Sequence, residues 1–170
     1  MSTMVTTQPQ TLWFIDTVAR VLVDGEQTDG TYSVVDSVGP QGNMPPLHVH
    51  RREDEVFHVV EGRLSIFMPG ENLELEAGDT VRAPRGVPHT YRVESETCRW
   101  LVFCQPAGFE EFVREVSEPA PSSELPPAGR PHDLDAIAAA AAAGIELLGL
   151  PGRCRPRAAG WARRRSAAAC

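Results

Sequence analysis

Residues 42–62, GNMPPLHVHRREDEVFHVVEG, and residues 78–89, GDTVRAPRGVPH, hold four of the five histidines of this 170-residue chain. His48 and His50 are two apart, so on an extended strand both imidazoles leave the same face. Glu55 follows within one short strand-length, and His89 arrives from a later segment. Three imidazoles and one carboxylate make a donor set of intermediate hardness, suited to Fe(II), Mn, Co, Ni, Cu or Zn. The expectation is one divalent transition metal per chain, held by His48, His50, Glu55 and His89.

The spacing carries a resemblance. Gly42, five residues, His48-x-His50, four residues, Glu55, six residues and Gly62 resemble the first motif of the cupin family. Gly78, five residues, Pro84-x-Gly86, two residues and His89 resemble the second, whose usual closing Asn is here Val93. The resemblance spans residues 30–105 and implies an all-β fold, a single jelly-roll barrel of antiparallel strands with short C-terminal helices. It also implies the ligand role of the four residues. Glu53, Asp54 and Glu55 are contiguous. Family spacing after the second His admits Asp54 or Glu55, and only Glu55 also fits the six-residue gap to Gly62. Glu53 and Asp54 are then expected to face solvent or to pair with Arg51 or Arg52.

Outside the motifs, short apolar strands with turn signals every eight to twelve residues independently read as a small sandwich or barrel. LWFIDTVARVLV (12–23) reads as one strand or a bent pair, and EVFHVVEGRLSIFM as a hairpin turning at Glu61-Gly62. The expected organisation is a flexible N-terminus (1–10), a barrel (11–106) and a short helix packed on its outside or on a partner (107–118). A proline-rich linker (119–132), an alanine-rich helix (133–149) capped by Asp133, and an arginine- and alanine-rich disordered tail (150–170) follow. Leu134, Ile137, Ala141 and Ile145 would form the apolar stripe of the second helix, and Gly149 its stop.

All sixteen basic residues are arginine. Ten of them, against all 23 acidic residues, lie within residues 1–150, which carry −13; the last twenty residues carry +6. The abrupt change near residue 151 fits either a native arginine-rich tail or a frameshifted reading of GC-rich DNA. An acidic barrel has no basic face to neutralise phosphates, so nucleic acid is not an expected partner. No apolar run reaches membrane-helix length, and MSTMVTTQPQ lacks the pattern of a secretory leader, which makes the cytoplasm the expected compartment. Cys98, Cys104, Cys154 and Cys170 follow no metal-finger spacing, and Cys98 and Cys104 read as buried thiols.

Alternation places Phe57 and Val59 on the face of Glu55, and Tyr91 and Val93 on that of His89. These four are the candidate walls of a cavity for a planar aromatic or enolisable ligand, or ordinary barrel core. His58 points to the opposite face, and His132 lies in the linker. Similarity to the flavonol dioxygenases (quercetinases) within the cupins implies cleavage of a flavonol or related aromatic enolate with O2. There Glu55 would be both ligand and catalytic base. The alternatives are a non-oxidative cupin enzyme, such as a polyketide cyclase or isomerase, or a binding protein without turnover. The same resemblance implies a homodimer, with Leu12, Trp13 and Phe14 either at its contact or in the chain's own core.

Overall fold

The computed structural model describes residues 8–149. The expected tail 150–170, with Cys154 and Cys170, and residues 1–7 of the expected flexible N-terminus lie outside the described residues. Within them, no helix is long and apolar enough to cross a membrane.

The chain begins with a bent pair of strands, β1 (Leu12–Phe14) and β2 (Thr17–Val23). A single 3-10 turn follows, fixed by a reciprocal cap: Asp24 Oδ1 accepts the Gln27 N–H and the Gln27 amide oxygen accepts the Asp24 N–H. Then come β3 (Ser33–Pro40), β4 (His48–His50), β5 (Asp54–Glu61) and β6 (Arg63–Met68). After these lie β7 (Glu71–Glu76), β8 (Thr80–Ala83), β9 (Thr90–Val93) and β10 (Thr97–Gln105). The chain continues through α1 (Phe109–Val116), β11 (Ser117–Pro119), α2 (Leu134–Ala141) and β12 (Ile145–Leu147).

All the pairings are antiparallel, in a seven-stranded sheet β11-β1-β2-β3-β10-β5-β8, a three-stranded sheet β7-β6-β9 and a two-stranded ribbon β12-β4. β10 shows why the sheets close on each other. Its Cys98, Trp100, Val102 and Cys104 are buried, whereas Thr97, Arg99 and Gln105 are exposed, a period-two pattern with one dry face. That face meets Leu64 and Ile66 of β6, Leu75 of β7 and Val93 of β9 in one core.

Four expectations are corrected. β5 and β6 do not pair as a hairpin: β5 belongs to the large sheet and β6 to the small one. At the corner Gly62 has φ of 84°, and a Cβ there would stand 2.4 Å from the Thr97 carbonyl oxygen, so only glycine lets the chain change sheets. Secondly, α1 lies on the inner face of the large sheet. Its Val113 is buried with Leu12, Ala19 and Val35, and Val35 is the cross-strand partner of core Val102. Thirdly, the 133–149 helix stops at Ala141. Asp133 caps it as expected, accepting the Ala136 N–H, but residues 145–147 leave helical geometry to pair with β4. β-branched Ile145 suits an extended strand, and pairing satisfies an otherwise open edge of β4. Leu134 is accordingly exposed and buried Ala140 and Ala141 make the contact. Fourthly, residues 119–132 are tied down: the Trp13 indole N–H donates to the Glu124 carbonyl and the Arg130 guanidinium sits 4.9 Å over the Trp13 ring. Leu12 and Phe14 are spent in the chain's own core, and β11 pairs with β1.

Candidate metal centre

The short strand β4 puts His48 and His50 on one face. β5 presents Glu55 beside them, and His89 is brought in by a backbone bridge: His48 and His89 exchange both N–H···O=C bonds, at 3.1 and 2.9 Å. The Pro84–Gly86 turn before His89 is anchored in turn, the Gly86 N–H donating to the His50 carbonyl at 2.8 Å. One ligand atom from each of His48, His50, Glu55 and His89 lies within 4.8 Å of the other three. His50, Glu55 and His89 are buried and His48 is partly so. Glu55 Oε2 is 2.6 Å from His89 Nε2 and 3.3 Å from His50 Nε2.

Tautomers follow from the partners. His48 Nδ1 is 2.7 Å from the Pro46 carbonyl and His89 Nδ1 is 3.1 Å from the Val87 carbonyl. Carbonyls only accept, so these nitrogens carry the protons and each Nε2 is turned to the cluster. Both nitrogens of buried His50 lack a close hydrogen-bond partner: Nδ1 faces Glu53 Oε2 at 3.5 Å and Nε2 faces Glu55 Oε2 at 3.3 Å. Burial, reinforced by the other two rings against the pull of Glu55, lowers His48 to about 4. Burial would likewise depress His50, but Glu55 and Glu53 outweigh it and the net direction is upward. Burial opposes ionisation of Glu55, yet the rings of His50, His89 and His48 hold it at about 2. A carboxylate kept charged among imidazoles, two with fixed donor nitrogens, fits a divalent transition metal.

The four ligand candidates are thus brought together. The wall candidates divide. The Phe57 ring is 6.0 Å from the His89 ring and 6.2 Å from Tyr91. The Tyr91 hydroxyl donates to Asn43 Oδ1 at 3.1 Å, and burial pushes its pKa up. Val59 and Val93 sit deeper in the core shared with Trp100. The flanking acids differ from expectation. Glu53 is only 6% exposed and lies against His50, while Asp54 pairs with Arg82 and Arg85 and Arg51 with Glu146 of β12. His58 faces outward and bonds Thr80, and His132 pairs with Asp16. Two neighbours escaped the sequence reading. Cys104 Sγ, opposite Glu55 in the strand register, donates to Glu55 Oε1 at 3.8 Å, which its strand parity could have revealed. The Phe109 ring is 5.7 Å from His50, and nothing in local sequence signals that.

Residues 34–104 match the family described as cupin domain. That segment is a cupin domain. Quercetin 2,3-dioxygenase of Bacillus subtilis (strain 168) is 31% identical over 104 residues, which are 61% of this chain and 31% of that protein. This chain therefore spans about a third of that relative's length. Among solved structures, KdgF from Halomonas sp. aligns with a TM-score of 0.51 at 19% identity, over 56% of this chain and 83% of that one. A predicted oxalate decarboxylase from Thermotoga maritima aligns with a TM-score of 0.50 at 18% identity, over 53% and 80%. These two likenesses concern the fold alone.

Proposed function

We propose that this cupin is a metal-dependent dioxygenase that cleaves a flavonol or a related aromatic enolate with O2. The observation that carries the reading is the largely buried His48–His50–Glu55–His89 cluster, in a chain 31% identical over 104 residues to quercetin 2,3-dioxygenase. A bound divalent ion would supply Lewis acidity, lowering the pKa of a substrate hydroxyl and allowing reaction with O2.

The protein's own groups do the rest. His48, His50 and His89 would hold the ion through Nε2, two of them oriented by backbone carbonyls at Nδ1. Glu55 is held charged by the surrounding rings, and in this reading it is the base that takes the hydroxyl proton of a substrate acidified by the ion. The Phe109 ring lies beside His50 and the Phe57 ring beside His89, with Tyr91 packed on Phe57, an apolar surround that suits a planar ligand.

The test is oxygen uptake with quercetin by protein reconstituted separately with Fe(II), Ni(II), Co(II) and Mn(II), metal content being checked beforehand. The expected result is uptake with at least one ion and its loss in Glu55→Ala. A loaded native site that consumes no O2 sinks the dioxygenase reading and leaves a non-oxidative cyclase or isomerase, or a ligand-binding cupin.

A further inference from the structure

His48 and His89 are each oriented by a carbonyl two residues earlier in the chain, those of Pro46 and Val87. His50 has no such carbonyl partner. Its Nδ1 faces instead a carboxylate oxygen, Glu53 Oε2, at 3.5 Å. Both side chains are nearly inaccessible, 2% for His50 and 7% for Glu53, and neither of these two atoms has a hydrogen-bond partner elsewhere among the described residues. A buried carboxylate without a strong partner is costly, so its retention beside one ligand nitrogen calls for a role.

The niche around Glu53 is built from distant parts of the chain. A Cβ on Gly108, which has φ of 151° at the start of α1, would stand 2.8 Å from Glu53 Oε1. One on Gly144, in the turn before β12, would stand 3.6 Å away. The turn is tied to the same loop, the Arg51 N–H donating to the Gly144 carbonyl at 3.0 Å. Two glycines thus leave room for a carboxylate that points back at the cluster.

We infer that Glu53 is a positioning residue, accepting the Nδ1 proton of His50 and so turning Nε2 of that ring toward the other three ligands. The inference rests on the metal-centre reading. It makes His50 different from the other two imidazoles, because a charged acceptor both fixes the tautomer and raises the basicity of the ligating nitrogen. Glu53 touches neither metal nor substrate in this role.

The experiment is competition titration of the full chain with Zn(II) and Co(II) against a chromophoric chelator, for the native protein, Glu53→Ala, Glu53→Gln and Glu53→Asp. Thermal melts serve as the folding control. Alanine is expected to weaken binding by about 10–100-fold without changing stoichiometry. Glutamine, whose amide oxygen still accepts the Nδ1 proton, should fall between alanine and native. In proton NMR of the Zn(II)-loaded chain, the His50 Nδ1–H should be downfield and slow to exchange in native and Glu53→Gln, and absent or rapidly exchanging in Glu53→Ala. Alanine binding within twofold of native, or an unchanged His50 Nδ1–H signal in that variant, overturns the inference while leaving the metal centre standing. A native chain that takes up neither ion overturns both. If the alanine variant does not fold, aspartate decides the matter: one methylene shorter, it must bind more weakly than glutamine, and native-like affinity refutes the positioning role.

Discussion

Asp54 sits next to the site without belonging to it, and its chemistry is that of an anchored carboxylate. It accepts the Arg85 backbone N–H at 2.9 Å and contacts the Arg85 and Arg82 guanidinium groups at 3.1 and 3.2 Å. The Arg85 backbone and side-chain bonds are the leading reasons its pKa is held at about 2, below the ordinary 3.8. A depressed carboxylate binds fewer protons folded than unfolded between those two values, so its contribution to stability is complete above the ordinary value and lost as pH falls toward 2. Urea unfolding of the native chain and Asp54→Asn should therefore differ most at pH 6, and the gap should narrow steadily as pH falls from 4 toward 2. A gap of constant size would refute the linkage. The residue scale is also where sequence reading does best and fails most instructively. Alternation puts His48 and His50 on one face of β4, whereas the choice of Glu55 on β5 comes from the resemblance to the cupin motif. Glu53 lies on the bend between β4 and β5, where parity does not apply. Its direction is set by room beside Gly108 and Gly144, more than fifty residues away in sequence.

Among the elements, α1 is held at its start by its own second residue. Glu110 is 2% exposed, and its two carboxylate oxygens accept the N–H groups of Gly25 and Gly108, at 2.9 and 2.8 Å. One side chain thereby joins the helix to the 3-10 turn after β2. Glu110→Ala strands two partly buried donors, at up to roughly 1–3 kcal/mol each, so a calorimetric melt should drop by about 5 °C. Glu110→Gln, keeping one acceptor, should lose less; an unchanged melt for alanine would show the bonds to be dispensable. The strands β2, β3, β5 and β10 are readable because each is a short run rich in β-branched and aromatic residues between turn signals. The end of α2 is not. An alanine run propagates helix by local propensity, whereas the switch at Ile145 is decided by the waiting edge of β4, a partner that no local window contains. The same limit hides the transfer of the chain between sheets at Gly62, since a turn signal does not say whether the strands it joins will pair.

For the molecule as a whole, Trp100 is the side chain the two sheets share. It is 1% exposed, and its ring lies 5.0 Å from that of Tyr91 and packs in the core with Leu64 and Ile66. Its indole N–H has no partner among the described residues. Trp100→Ala should cost roughly 3–5 kcal/mol through the void it leaves. Trp100→Phe keeps much of the volume and removes the stranded donor, so it should cost less than about 1.5 kcal/mol. Equal losses in urea titrations would mean that the nitrogen, and not the packing, carries the tryptophan. The architecture also has a temporal side. β4 is flanked by His89 on one edge and by Ile145–Leu147 on the other, both far downstream. His48 and His50 leave the ribosome long before either neighbour has been made, and such distant pairings form late in folding. The emerging peptide carries only a loose pair of imidazoles; the four-residue cluster exists only once the fold is complete.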